Sequence, residues 1–480
     1  MHVPIPPLFR QLLFAGLLLA CGPASAAGQL DTTFGSGGRV VFDFHQQISF
    51  HDIAFALAPA PDGRLVLAGI AQSAYGNSIA LLRLDARGRI DRSFGTEGSL
   101  VIHDPSTSPL YALGAAVQDD GRIVLAATRV LSGSVYQWWV LRVLADGSGL
   151  DPSFGSVGAV RIANHWARSI GLDIALQPDG RILALGTVFD GGIDQRMAVA
   201  RLMPNGVFDS DFAGGSGFFE EVFDPGHTDV FAETLLRQTD GRILVAGRAR
   251  KLTGDGDLDM ALLRLLSNGT PDSGFGFMTL PGRTTVDFSA VGLRTNDRAL
   301  ALAYRAPFLD PGARRILVGG VAEPQSGGLS KPVLAALNYD GSLATGFGSG
   351  GRLQLSVGSF NDYDIGVHAL ALERLDPLSL ETADHILIGG TQAAPTGLGC
   401  FAWRVDFSGA PDGNFNGGAV RHLHASPGSS DTCFAGIRRG DRFLLAGANH
   451  AFQSMSGLDF LAFAVLAGNQ VFRDGFEGTY

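Results

Sequence analysis

The chain has 480 residues, of which 66 are Gly, 46% are apolar and 17% are charged. A formal charge of −10, with Lys251 and Lys331 as the only lysines, leaves no basic cluster, and this excludes nucleic acid as a partner class. The apolar fraction excludes a disordered chain, and glycine without a Gly-X-Y period excludes a collagen-like one.

In chain order, Arg10 precedes a short apolar run, Leu12 to Ala20, which ends before Ala24-Ser25-Ala26. The run is too short to span a bilayer, and the small residues suit signal-peptidase cleavage. Residues 1–26 are therefore expected to be a signal peptide and the protein to be secreted or periplasmic. A second reading takes Leu18-Leu19-Ala20-Cys21 as a lipobox, which would make an outer-membrane lipoprotein through Cys21. No later segment is long and apolar enough to span a membrane. Cys400 and Cys433 remain; they could pair in an oxidising compartment or lie apart as small buried side chains.

Internal repetition is the main signal. An opener, Asp-x-x-Phe-Gly with a following Gly turn, recurs as LDTTFGSGGRV from Leu30, IDRSFGTEGSL from Ile90 and LDPSFGSVGAV from Leu150. Looser copies place the Phe at 34, 94, 154, 212, 275, 347 and 415. An apolar run ending in small residues keeps step with it, as in RLVLAG (64–69), RILVAG (242–247) and RFLLAG (442–447). A third motif follows, as in IALLRL (79–84) and ALLRL (261–265). Each repeat reads as four strands in the order a, b, c, d, with strand a after the opener and a Pro-Asp-Gly-type hairpin turn between b and c. Seven such units predict an all-β, seven-bladed β-propeller over residues 27–467, with a tail at 468–480. A 60-residue period with two hairpin turns argues against a β-solenoid.

The phrases LDTTFGSGGRV, LQPDGRILALG and MALLRLLSNGTPD resemble the delta-60 repeat β-propeller family of exported bacterial proteins. That family has no established general activity, so the resemblance implies fold and export rather than chemistry. Repeats five and six depart from the pattern by losing the Pro-Asp-Gly turn.

Several residues stand out. Arg in strand d and Asp in the next opener vary together: Arg83 with Asp91, Arg142 with Asp151, Arg201 with Asp209, Arg264 with Asp272 and Arg404 with Asp412. Where strand d carries Asn338, the opener carries Ala344. This joint loss predicts a repeated structural ion pair. The a–b loops gather His45, His51, His103, His165, His227, His422 and His424, and strand b often starts beside an Asp, at 52, 229, 297, 362 and 431. Such groups on one face are candidates for metal or substrate binding, set against plain loop polarity. Asp255, Asp257 and Asp259 alternate in a c–d loop and are weak Ca²⁺ candidates, since no bidentate Glu follows; a solvated acidic tip is the simpler reading. The longer b–c loops of repeats five and six offer Phe308, Leu309, Asp310, Leu378, Leu380 and Glu381 as binding-loop candidates.

No nucleophile elbow, phosphate loop or zinc motif appears. The expected role is a monomeric binding or interaction module for a protein or glycan of the envelope or extracellular space. The competing expectation is a hydrolase or lyase, metal-assisted or not, with its site on the a–b face.

Overall fold

The computed structural model describes residues 27–44, 51–73, 76–104, 108–131, 135–163, 166, 168–189, 195–221, 223, 227–251, 256–276, 281–289, 294–307, 310–355, 365–373, 385–394, 397–426, 429–450 and 458–467. The expected signal segment and C-terminal tail lie outside them. Seven four-stranded antiparallel sheets form the chain. Each inner strand touches the inner strands of both neighbouring blades, and all seven line one central cavity. The protein is a seven-bladed β-propeller.

The strand order corrects the sequence reading in one respect. A blade is not one repeat. Blade 1 runs from the inner strand Asp52–Pro59 through Leu65–Ser73 and Gly76–Leu84 to an outer strand, Ser99–Ile102, that follows the second opener. Each blade thus takes strands b, c and d of one repeat and strand a of the next. The reason is local: the opener turns the chain straight back, with Asp91 N–H donating to the Arg83 carbonyl at 2.9 Å. The first strand a, Arg39–Phe42, has no preceding blade and completes blade 7 beside Leu458–Leu466, with Val40 opposite Ala462. The two ends of the ring are thereby joined.

The opener phenylalanines at 34, 94, 154, 212, 275, 347 and 415 are all at most 2% exposed and sit between blades. The residue after each Phe takes positive φ where it is Gly35 or Gly95, and also where it is Ala213 or Asn416. The turn, not the residue type, dictates this geometry. At Gly95 a Cβ would lie 2.1 Å from the Ser99 carbonyl oxygen, which explains the usual choice.

Every inner strand has a register shift at the same place: between Ala54 and Ala56, Ala112 and Gly114, Gly171 and Asp173, Ala232 and Thr234, Ala299 and Ala301, Val367 and Ala369, and Cys433 and Ala435. Each bulge leaves one extra residue. It also drives a carbonyl toward the second strand. A Cβ on Gly69 would lie 1.9 Å from the Ile53 oxygen, and one on Gly320 1.8 Å from the Arg298 oxygen. The small residues that end the apolar run are a consequence of the bulge.

Candidate functional site

Because the bulges recur at one height, their extra residues form a ring around the cavity: Phe55, Leu113, Leu172, Glu233, Leu300, His368 and Phe434. The cavity has a volume of about 230 Å³. Its sides differ. On one, His368 stands edge-on to Phe434 at 5.5 Å, and Phe434 lies 5.5 Å from Phe55. On the other, Glu233 receives Arg248 Nη1 at 3.1 Å and faces Arg298 Nη2 at 3.5 Å. Burial pushes the Glu233 carboxyl up, against the pull of Arg298 and Arg248. Burial likewise lowers Arg248 and raises Glu323, which feels the same two guanidiniums. Asp173 also lines the cavity. Burial pushes it up to about 6, although it accepts from Leu235 N at 2.9 Å, Ile174 N at 2.8 Å and Thr234 Oγ1 at 3.2 Å.

Among the described residues, the histidines predicted for the a–b loops do not converge on this cavity. His103 follows the outer strand of blade 1, and its Nδ1 lies 2.7 Å from Ser78 Oγ. His422 is on the outer strand of blade 6 beside Gln392, and His424 Nδ1 is 3.6 Å from Asp431. His51 Nδ1 accepts from Leu458 N at 3.2 Å. His45, His165 and Asp362 lie outside the described residues, as does the side chain of His227. Three of the strand-b aspartates clasp the crossover between blades: Asp52, Asp297 and Asp431 accept from the N–H of Phe44, Phe288 and Ala425 at 2.9, 2.6 and 2.8 Å. Asp229 instead pairs with Arg250 at 2.6 Å.

The acidic-tip reading of the Asp255 segment does not hold for its described part. Asp255 lies outside the described residues, whereas Asp257 and Asp259 are 8% and 2% exposed. With Asp287 they surround the Lys251 ammonium at 3.3, 2.8 and 2.9 Å. Lys251 thus stands where a cation would be held. Burial works against the ammonium, but hydrogen bonds to Asp259 and Asp287 outweigh it and raise its pKa. Asp297 beside them is raised to about 7, first by burial and then by Asp287 and Asp259. Lys251→Met is expected to cost roughly 2 kcal/mol or more at pH 8, less than a fully buried pair because Lys251 is a quarter exposed. The deficit should shrink toward pH 5 as the crowded carboxylates take up protons. Thermal melts at the two pH values check this; an equal deficit at both would show that Lys251 acts by packing alone.

The five Arg–Asp pairs are all in contact, at 2.8, 2.8, 2.7, 2.8 and 2.6 Å in chain order. Each guanidinium also covers the opener Phe, 4.4–5.2 Å from the ring centre. Its Nη1 donates to a carbonyl just past the third strand of the next blade, at Ala145, Pro204, Ser267, Tyr339 and Ala467. Sequence reading missed a second cation on four of these Asp: Arg64, Arg122, Arg181 and Arg242, at 3.0, 3.1, 2.8 and 2.8 Å. These arginines are legible as the first residue of RLVLAG and its copies. At Asp151, burial works upward, but Ser153 hydrogen bonds and the Arg142 and Arg122 charges outweigh it and hold the carboxyl low.

Asn338 is not the counterpart of Arg264. Arg264 lies opposite Leu244, and the matching residue opposite Leu317 is Ala336. Asp310 is exposed and caps a short turn by accepting from Gly312 N and Ala313 N at 2.9 and 3.2 Å. Phe308, Leu309, Leu378, Leu380 and Glu381 lie outside the described residues. Cys400 and Cys433 form a disulfide between blades 6 and 7, with Cα atoms 5.4 Å apart. Among the described residues, no helix is long and apolar enough to cross a membrane.

A family model described as "Domain of unknown function (DUF5122) beta-propeller" matches residues 60–94, 118–154, 177–212 and 238–275. No curated protein matches the chain. Among solved structures, Sqt1 of Chaetomium thermophilum, bound to the N-terminus of ribosomal protein L10, is 12% identical, with a TM-score of 0.44, over 89% of this chain and 98% of that one. The polysaccharide lyase Uly1 is 9% identical, with a TM-score of 0.47, over 89% and 92%. A subtype N11 neuraminidase-like protein from a flat-faced bat isolate is 11% identical, with a TM-score of 0.37, over 93% and 98%. No function is taken from such distant likenesses; the matched family model fits a β-propeller repeat protein.

Proposed function

We propose that the protein is an exported binding module that seats a protruding polar group of an envelope or extracellular partner, a glycan end or a protein loop, in the central cavity. The observation that carries this reading is the two-sided ring. An aromatic wall (His368, Phe434, Phe55) faces a carboxylate held by two guanidiniums (Glu233, Arg248, Arg298). A concave site in which a few polar groups are held in fixed positions can orient a bound ligand. The disulfide suits an oxidising compartment, and the N-terminal sequence suits export.

The competing reading, an enzyme, has one feature in its favour. Glu233 and Asp173, both raised by burial, line the same cavity. Both carboxylates are nevertheless engaged, Glu233 by arginines and Asp173 by three donors, and such engagement suits positioning better than proton transfer.

The test is titration of a panel of soluble oligosaccharides and envelope protein extracts against wild type, Phe434→Ala and Glu233→Gln. Binding that weakens at least tenfold in both variants, without turnover of the ligand, supports the reading. Binding unchanged in both variants, or chemical conversion of the ligand, overturns it.

A further inference from the structure

Blade 5 departs from its neighbours at one buried place. Ala336 and Ala344 stand where five other blades have the Arg–Asp pair, and both are at most 7% exposed. The backbone there is unchanged: Ala344 N–H donates to the Ala336 carbonyl at 2.9 Å, as Asp272 N–H donates to Arg264 at 3.0 Å. Only the side chains are missing. A cavity of about 360 Å³ occupies the space, bordered by Arg315, Ala336, Asn338, Ala344, Phe347 and Phe407.

The surroundings of the deleted pair have been kept. Phe347 is the opener Phe, which in five other blades lies under a guanidinium. Arg315 is the counterpart of Arg242, whose Nε meets the opener carboxylate at 2.8 Å. With Ala344 in place of that Asp, Arg315 has Nη1 on the carbonyls of Gly312 and Arg314, at 2.9 and 2.8 Å, and no opener carboxylate to meet. Arg305 adds positive charge nearby, stacked 4.4 Å from the Phe407 ring centre. The adjacent aspartates are tied within their own turns. Asp340 accepts from Ser342 N and Oγ at 3.0 and 2.6 Å, and Asp406 accepts from Ser408 N and Oγ at 2.8 and 2.6 Å.

We infer that the blade 5 cavity is a binding site for a carboxylate, received by Arg315 where the other blades place their own Asp, with the rest of the ligand lying over Phe347. The guanidinium edge matches a carboxylate in shape and charge. The exposed residues Thr345 and Gly346 give the cavity an entrance. The carboxylate could belong to a free organic acid or to a peptide C-terminus. This site is separate from the central cavity and does not depend on what binds there.

The experiment titrates the intact protein at constant ionic strength with sodium acetate, with sodium chloride, and with a tetrapeptide as free acid and as amide. Binding is read by titration calorimetry and by the shift in melting temperature. Saturable stabilisation by acetate but not chloride, weakened at least tenfold in Ala344→Asp, is the expected result. A free-acid peptide that binds more tightly than acetate, while its amide fails, identifies a peptide end as the source; acetate alone identifies a free acid. Ala344→Asp should itself melt higher, because it supplies the carboxylate. Arg315→Gln serves as a second variant and should lose binding without gaining stability. Equal responses to acetate and chloride, or acetate binding unchanged in both variants, overturns the site.

Discussion

Replacing Arg404 with Met is expected to destabilise the protein by about 3–5 kcal/mol. Arg404 is 1% exposed and serves four partners. Its guanidinium meets Asp412 at 2.6 Å and Glu373 at 2.8 Å, donates to the Ala467 carbonyl and covers Phe415. Methionine fills much of the space but leaves Glu373, 2% exposed, without its cation. Burial already pushes the Glu373 carboxyl up, and Arg404 is the main opposing charge. Loss of Arg404 raises it further, so the deficit should be large at pH 8 and smaller at pH 5, where Glu373 binds a proton. Unfolding entropy of about 2.1 cal/mol/K per residue gives a ring of roughly 440 residues about 0.9 kcal/mol/K. The melting temperature should therefore fall by about 3–5 °C at pH 8. Arg404→Met combined with Glu373→Gln should recover part of that loss. The control is Arg89→Ala: this ion pair with Asp85 is equally short at 2.7 Å, but Arg89 is 70% exposed, so the change should stay within about 0.5 kcal/mol. Similar losses at Arg404 and Arg89 would show that the buried geometry adds nothing.

The sequence carried the blade count, the core phenylalanines and the five ion pairs because each depends on residue type at fixed spacing. It did not carry blade phase. A repeat cut at the opener and a blade cut at the inner strand contain the same motifs, and only the return of Asp91 N–H onto the Arg83 carbonyl distinguishes them. The central ring was also hidden. A bulge is a property of pairing, and Phe55, Leu113, Glu233 and His368 share no residue type that would mark it. Its trace in the sequence is indirect, in the small residue that ends the apolar run of the adjoining strand, as at Gly69 and Gly320. The Asn338 misalignment has a similar cause. The run VLAALN offers no arginine to anchor the register, so a two-residue offset places Asn where strand pairing places Ala336. The grouping of the histidines by loop did not hold for His422, which lies on an outer strand, and His103 also sits beside one, because the segment joining an outer strand to the next inner strand spans the whole blade.

Removal of residues 27–44 is expected to abolish the single cooperative unfolding transition. This segment supplies the outer strand of blade 7, pairing Arg39–Phe42 with Phe460–Phe463. It also buries Phe34 at 0% exposure, and it places Asp31 2.5 Å from Arg442. Closing a loop of some 420 residues costs about 5 kcal/mol of chain entropy, and the cost grows only slowly with length. Burying one Phe returns about 3 kcal/mol, and the strand ladder with the Asp31–Arg442 pair supplies the remainder. Closure is thus close to balanced on its own terms; its gain lies in holding blades 7 and 1 together. Without it, Phe460–Phe463 becomes an unpaired edge, which invites association between molecules. The truncated protein should show two melting transitions, the lower one accompanied by early amide exchange in Arg442–His450 and Asp52–Pro59, and a tendency to aggregate. Phe154→Ala, a loss of the same chemistry inside the ring, should instead lower a single transition by about 3–5 kcal/mol. If the truncated chain still unfolds in one step at an unchanged midpoint, the outer strand of blade 7 is not what closes the ring.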